Sequence, residues 1–424
     1  MSALYIIIAI CAAVILSYLY RIIARKTNIP SVLFLIITGM IAAGILSSSG
    51  KELPYSSEIL EILGLMGLVI IVLEGALDLK ITRDKFPLII KAFFTALLIL
   101  VASTFAIGAV LHVVLNEDWY VSCVYAIPLS VISSAIVIAS LNALPENKRE
   151  FAIYEATFSD IIGIMFFEYF LMDVAPGESY AVAVSINFFS TFIVSILIAL
   201  LLLYLFQYLE GKSNVKFFLF ISILTLLFSI GKLLHISSLL LVFIFGIILR
   251  NYSIIEKLKL SRFFKKEVIF NIQEDFHFII LETAFLIGTF FFLMFGANIN
   301  VSDWLNIKVI IIGSVITAAI YVVRYVFLKL FNFKEKVSLN ELFLAPRGLI
   351  TVILFYKIPK QYHLQSFDTG IISFVVVATI LLMAYGIRKS KKQLLEDEQE
   401  IIREIEEVEG DISTSETSNN TNVE

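Results

Sequence analysis

Six ionisable side chains lie inside long apolar segments of the sequence. Four are acidic and two are basic: Glu74, Glu155, Asp160, Glu282, Arg324 and Arg347. A charge at the centre of a bilayer costs at least about 2.5–3.5 kcal/mol, so each of these residues is a candidate for a functional role. Hard alkali cations prefer oxygen donors, which carboxylates supply. The residue types therefore indicate a site that handles small cations or protons.

The composition of the 424-residue chain requires lipid as the solvent for most of it. Hydrophobic residues make up 59% of the sequence and charged residues 16%, and the mean hydropathy is +0.93. A soluble domain carries roughly 25% charged residues. This contrast excludes a secreted module, a soluble enzyme and a nucleic-acid-binding protein. Cys11 and Cys123 lie in apolar runs, which favours packing over a disulfide or metal role.

The apolar segments predict an all-α polytopic membrane protein, because a spanning helix needs about 20 mostly apolar residues. We predict about thirteen spans: 3–20, 29–46, 59–79, 87–115, 119–144, 151–173, 181–208, 217–234, 236–249, 276–299, 305–330, 339–358 and 367–387. The first has neither a basic segment before it nor a small-residue cleavage site after it. We therefore expect it to be a retained span and not a signal peptide.

Loop charge predicts the orientation, since basic residues gather in cytoplasmic loops. Alternate connections, beginning with the first, hold 23 lysines and arginines, against 4 in the opposite connections. We expect an integral protein of a bacterial plasma (inner) membrane, with the N-terminus outside and the C-terminus in the cytoplasm. Residues 1–392 form the predicted transmembrane domain. Residues 393–424 carry 11 acidic residues and one basic residue, which predicts a partly disordered acidic tail.

The sequence contains no motif for nucleotide binding or hydrolysis. Gly211-Lys212-Ser213 imitates the end of a phosphate-binding loop, but Phe206 replaces its first glycine. We therefore expect no enzyme activity, no cofactor, no nucleotide or nucleic-acid partner, and no metal beyond a transported alkali cation. If the protein moves a solute, existing gradients must drive the movement.

Two predicted spans carry signs of a broken helix. The fifth has Pro128 followed by Ser133 and Ser134, and the twelfth has Pro346-Arg347-Gly348. Interrupted helices at corresponding positions of two halves are typical of transporters built from inverted repeats. The spacing of seven spans predicts that spans 1–6 repeat as spans 8–13, with the two broken helices crossing in a core domain. The alternative is two kinked helices whose prolines are accommodated locally.

The chain resembles the monovalent cation:proton antiporters of the sodium/proton exchanger type, the NhaP and NHE group. The similarity covers nearly all of residues 15–390, in these segments: ARKTNIPSVLFLIITGMIAAG (24–44), LGLMGLVIIVLEGALDL (63–79), PLSVISSAIVIASL (128–141), EATFSDIIGI (155–164), LETAFLIGTFFFLMFGANI (281–299), YVVRYV (321–326) and APRGLITVILFY (345–356). The resemblance implies a homodimer in a lipid bilayer, each protomer having a dimerisation domain and a mobile core domain.

The resemblance also implies roles for single residues. It makes Asp160 the carboxylate that binds both the ion and the proton, and it implies that Glu155 helps to coordinate the ion. It pairs Glu74 with Arg324 in a buried structural ion pair. We expect Ser159, a water held by Glu155, and oxygens around Ser133 and Ser134 to complete the set of oxygen ligands.

This sequence departs from the family pattern at two places. Ser133-Ser134-Ala135 stands where the family often has Thr-Asp-Pro, and Ser159-Asp160 replaces an Asn-Asp or Asp-Asp pair. A single carboxylate at that pair, with arginine on the eleventh span, resembles the electroneutral branch. We expect Na⁺/H⁺ antiport, with K⁺/H⁺ antiport, a channel and a membrane sensor as alternatives. Glu282 has a direct role or pairs with Arg347 or a helix break.

A buried Asp160 would enforce exchange by itself. Burial penalises the charged carboxylate, so a proton and a cation compete to neutralise it. The neutral loaded site can cross an apolar barrier, whereas the empty charged site cannot.

Overall fold

The computed structural model describes residues 3–27, 29–48, 50, 56–138, 140–141, 146–172, 179–210, 216–233, 237–257, 262–331 and 338–389. These residues form α-helices and short 3-10 turns and no strand. The helices are α1 (Ala3–Thr27), α2 (Ser31–Ser48), α3 (Ser56–Asp78), α4 (Phe86–Leu115), α5 (Trp119–Ser130), α6 (Ser134–Ile138), α7 (Glu146–Phe170), α8 (Tyr180–Glu210), α9 (Lys216–Leu233), α10 (Ser238–Arg250), α11 (Tyr252–Lys257), α12 (Lys266–Ala297), α13 (Ile307–Phe331), α14 (Leu339–Phe343), α15 (Leu349–Tyr356) and α16 (Gly370–Lys389).

The all-α polytopic fold is confirmed. Each predicted span falls on one helix or, for the fifth and twelfth, on two short helices separated by a break. Nine segments of the described chain are long and apolar enough to cross a membrane, and α10 is a shorter apolar helix. The largest boundary error is at α12, which begins at Lys266 and not at residue 276. Its polar first turns carry the helix beyond the apolar segment that the hydropathy window detects. The predicted acidic tail lies outside the described residues.

The helices pack into two bundles. In the first, α4 packs against α5, α7 and α13, and α6 packs on α7. The helix α16 joins them, since Tyr321 of α13 donates from its hydroxyl to the Thr379 carbonyl at 3.4 Å. We call α4–α7 and α13–α16 the core bundle. In the second, α12 packs against α2 and α3, and α10 against α3, α8 and α9. We call α1–α3, α8–α10 and α12 the flanking bundle.

A seam separates the two bundles where α3 and α12 face α7 and α15. On the outside of the flanking bundle, α1 and α8 expose large apolar side chains, such as Ile8 at 63% and Leu197 at 63%. Such surfaces suit lipid, because they could not face water over this length.

The first broken helix is α5–α6. Pro128 lies inside α5 and removes one helical N–H, and the helix ends two residues later at Ser130. The second broken helix is α14–α15, in which Leu344–Gly348 are not helical. The N–H of Ser133 donates to the Pro346 carbonyl at 2.9 Å, so the two breaks meet. The crossing of two broken helices is confirmed, and the alternative of two merely kinked helices is wrong.

Candidate cation site

Asp160 projects from α7 onto the first break. Its Oδ2 accepts from the backbone N–H of Ser134 at 3.1 Å and from the hydroxyl of the same serine. Only 3% of Asp160 is exposed, and its Oδ1 has no hydrogen-bond partner among the described residues. A buried carboxylate oxygen without a partner is costly, because its lone pairs have lost water without replacement. This oxygen is therefore available to a proton or a cation.

Ser159, the residue before Asp160, holds the same break. Its Oγ accepts from the N–H of Ile132 at 2.9 Å. Residues 159 and 160 thus use their side chains to bind two N–H groups that the missing helical turn leaves free. The sequence predicted both residues, and the structure brings both to the break.

Gly348 allows the second break to approach the first. A Cβ at this position would lie 2.6 Å from the Ser133 Oγ and 2.8 Å from its Cβ. No larger residue fits there unless Ser133 moves. Ser133, Ser134, Pro346 and Gly348, all predicted site or support residues, therefore lie at the crossing.

Arg347 binds carbonyls that the breaks set free. Its side chain is fully buried, with Nε donating to the Leu129 carbonyl at 2.6 Å and Nη1 to the Ala345 carbonyl at 2.8 Å. Leu129 is in the last turn of α5, where helical carbonyls lack partners and carry partial negative charge. The guanidinium supplies the compensating positive charge.

Arg324 pairs with Glu155, which corrects the predicted pair with Glu74. Its Nη1 and Nη2 donate to the two oxygens of Glu155 at 2.7 and 3.0 Å, and its Nε donates to the Glu341 carbonyl. The reason is topological: Glu155 and Arg324 are on α7 and α13, which both pack on α4, whereas Glu74 belongs to α3 in the flanking bundle. Arg324 therefore occupies both oxygens of Glu155.

Glu74 lies instead on the wall of a cavity in the seam. The cavity has a volume of about 200 Å³ and is lined by Glu74 and Arg21 on one side and by Ser134 and Ala135 on the other. It reaches Ser134, which binds Asp160 directly. From the sequence, Arg21 counted only as one of the basic residues in the first connection. Its position one turn after Ser17, at the end of the first predicted span, could have indicated that it lies near the site.

Glu282 is separate from the crossing. It is exposed on α12 and accepts from the hydroxyl of Tyr18 at 3.3 Å. The predicted pairing with Arg347 or with a helix break is wrong, because Arg347 donates to Leu129 and Ala345. Tyr18 went unnoticed in the sequence because neutral hydroxyls in an apolar span carry no distinguishing pattern.

The chemistry of the crossing suits a hard monovalent ion. Its oxygen donors are the Asp160 carboxylate and the hydroxyls of Ser133 and Ser134, which are ligands that such cations prefer. The described part of the chain holds no cluster of three or more histidine, cysteine or acidic side chains that could bind another metal.

The chain is similar to known proteins both in sequence and in fold. The family model described as "Sodium/hydrogen exchanger, transmembrane" matches residues 11–388. A structure of the sodium proton antiporter MjNhaP1 from Methanocaldococcus jannaschii at pH 8 is similar in fold, with a TM-score of 0.63 and 19% identity over 92% of this chain and 97% of that one. An electron-microscopy structure of the same antiporter gives a TM-score of 0.61 and 20% identity over 92% and 96%. No curated protein sequence matches the chain.

Proposed function

The chain belongs to the sodium/hydrogen exchanger family, a family of transporters and not of enzymes, and from that premise we propose that it exchanges one Na⁺ for one H⁺ at Asp160. The observation that carries the proposal is a buried carboxylate beside two helix breaks whose Oδ1 has no hydrogen-bond partner among the described residues. Membership of the family supports antiport of a cation and a proton. The choice of Na⁺ and the one-for-one ratio are our proposal.

The exchange follows from the cost of moving a charge. With a proton or Na⁺ bound, Asp160 is neutral and can move past the apolar surfaces of the seam. Without either, a buried anion must cross, at a cost of several kcal/mol. The empty site therefore cannot cross the seam. A bound Na⁺ must be replaced by a proton, or a bound proton by Na⁺, before the site can move again.

The one-for-one ratio rests on the neighbouring acid. Arg324 compensates the charge of Glu155 through two hydrogen bonds, so this pair has no net charge to exchange. Asp160 is then the acid of the crossing whose charge changes during the cycle. In this proposal the Ser134 hydroxyl and the carbonyls of the breaks supply further oxygens to Na⁺, and Glu155 acts through the position of α7 and not as a direct ligand.

The proposed orientation makes this an inward-facing state of a plasma (inner) membrane protein. The cavity is lined by Arg21 near the end of α1 and by Glu74 near the end of α3. The distribution of lysine and arginine in the loops supports a cytoplasmic position for both helix ends. Ions would thus enter the seam from that side. A homodimer is part of the proposal on the basis of the family resemblance.

The deciding experiment is proton flux in proteoliposomes that hold the full chain. A Na⁺ gradient should drive H⁺ movement, and Asp160→Asn should abolish it while the variant still folds and inserts. A matched control is Asp118→Asn, because Asp118 is the exposed N-cap of α5 and asparagine caps equally well. Its flux should match that of the wild-type chain.

Several outcomes would refute the proposal. Retained exchange in Asp160→Asn would refute the site. A rate that responds strongly to an imposed voltage would refute the one-for-one ratio. Repeating the assay with Li⁺ and K⁺ tests the cation, since K⁺-driven flux without Na⁺-driven flux would favour a K⁺/H⁺ antiporter. Ion flux at channel rates, or binding without turnover, would favour a channel or a sensor.

A further inference from the structure

Thr379 holds the second break in the way that Ser159 and Asp160 hold the first. The Thr379 side chain on α16 is fully buried, and its Oγ1 accepts from the backbone N–H of Arg347 at 3.0 Å. Asp160 on α7 accepts from the backbone N–H of Ser134. In each half, a side-chain oxygen on the helix that follows the broken helix accepts from a free N–H of the break.

The surrounding helices repeat this correspondence. In chain order α7 follows the broken helix α5–α6, and α16 follows α14–α15. In the flanking bundle, the packing of α2 on α12 has its counterpart in the packing of α10 on α3. These pairings are those expected if spans 1–6 repeat as spans 8–13. They place α16, which carries Thr379, at the position of α7 in the other half.

A short chain of hydrogen bonds connects the two oxygens. Thr379 fixes the N–H of Arg347, and the preceding residue, Pro346, accepts from Ser133 at 2.9 Å. The next residue, Ser134, binds Asp160 through its N–H and its hydroxyl. A shift of the second break would therefore reach the carboxylate through backbone atoms alone.

We propose that Thr379 is a positioning residue for the cation site, acting through the hydrogen bonds from Arg347 and between Pro346 and Ser133. The inference rests on the proposed function, since it assumes that Asp160 binds the cation. It also gives a reason for a hydroxyl at this position. The Thr379 Oγ1 donates to the Val376 carbonyl at 3.0 Å while it accepts from Arg347, so it binds the break without adding a second titrating acid.

The test compares three variants of the full chain in proteoliposomes. Thr379→Val removes the hydroxyl at nearly constant size, and Thr379→Ser restores it. Thr317→Val is the matched control, because Thr317 is buried in the same bundle and its hydroxyl donates to the Gly313 carbonyl on its own helix. Each variant is assayed for the apparent KM for Na⁺, the maximal rate, and the rise in unfolding temperature that Na⁺ induces in the purified protein.

We expect Thr379→Val to raise the apparent KM for Na⁺ about fivefold, as for the loss of one hydrogen bond, with a maximal rate within about twofold of the wild-type chain. The Na⁺-induced rise in unfolding temperature should shrink with it. Thr379→Ser and Thr317→Val should keep both values. A purely structural role would lower the unfolding temperature without Na⁺ and leave the KM unchanged.

The outcomes separate the two proposals. If the wild-type chain shows no Na⁺-driven proton flux, the proposed function fails. If it does show flux but the KM of Thr379→Val is unchanged, or that of Thr379→Ser rises equally, the inference is overturned and the proposed function stands. Should Thr379→Val not fold, Thr379→Cys replaces it, since a thiol is a weaker acceptor of similar size. An unchanged KM in that variant would equally overturn the inference.

Discussion

Glu155 and Asp160 are two buried carboxylates on the same helix with opposite surroundings. Both are nearly inaccessible, at 2% and 3% exposure. Glu155 has both oxygens bound by Arg324, whereas in the described part of the chain Asp160 accepts from neutral donors only and its Oδ1 is unbound. Burial alone therefore does not mark a functional acid. What distinguishes Asp160 is that no cationic side chain of the described residues compensates its charge.

The comparison extends to the supports of the two acids. Glu155 is held by Arg324 within the core bundle, and both residues are on helices that pack directly on α4. Asp160 faces the break between α5 and α6. Its partner there is Ser134, which also lines the cavity in the seam. The same helix thus carries one acid for stability and, as we propose, one acid for transport.

The largest effect on stability should come from breaking the Glu155–Arg324 pair. Glu155→Gln leaves Arg324 buried without its counter-ion, which costs about 3–5 kcal/mol. Asp160→Asn should leave the free energy of unfolding unchanged or raise it, because it removes an uncompensated buried charge. Unfolding of the purified variants in detergent measures both values.

A double variant tests whether the charge itself is responsible. Replacing both partners, as in Glu155→Gln with Arg324→Gln, should recover part of the stability lost in Glu155→Gln alone, because no unpaired charge then remains. Equal destabilisation by Asp160→Asn and Glu155→Gln would contradict the comparison.

A smaller effect is expected from disturbing the crossing without touching either acid. In Gly348→Ala the new Cβ would collide with Ser133, and overpacking of this kind costs typically about 1–3 kcal/mol. Displacement of Ser133 should also weaken Na⁺ binding at Asp160, measured as a higher KM. Gly44→Ala is the matched control, since a Cβ there meets no atom within 4 Å and Gly44 does not line the cavity in the seam. A normal KM in Gly348→Ala would show that the site does not depend on the close contact of the breaks.

Most of this arrangement could be predicted from the order of the residues in the sequence. The predictions that were wrong failed for a physical reason. Apolar runs located the spans, and Pro128 and Pro346 located the breaks, because both features act within one segment of the chain. The Glu74–Arg324 pair was wrong because the partner of a charge depends on which helices are neighbours, and the order of the spans does not determine that. Thr379 was missed since a lone hydroxyl in an apolar helix looks like any packed threonine.

The smallest effect on stability and on Na⁺ binding should come from a change at Glu282. Of the four acids in predicted spans, it is the one whose side chain is exposed. Its side chain accepts a 3.3 Å hydrogen bond from Tyr18, itself 45% exposed, on the edge where α1 meets α12. Glu282→Gln keeps an acceptor for Tyr18, so the free energy of unfolding should change by no more than about 0.5 kcal/mol. The KM for Na⁺ should stay equal to that of the wild-type chain in the proteoliposome assay. A changed KM would mean that an acid remote from the breaks takes part in binding, and the unbound oxygen of Asp160 would no longer suffice to identify the site.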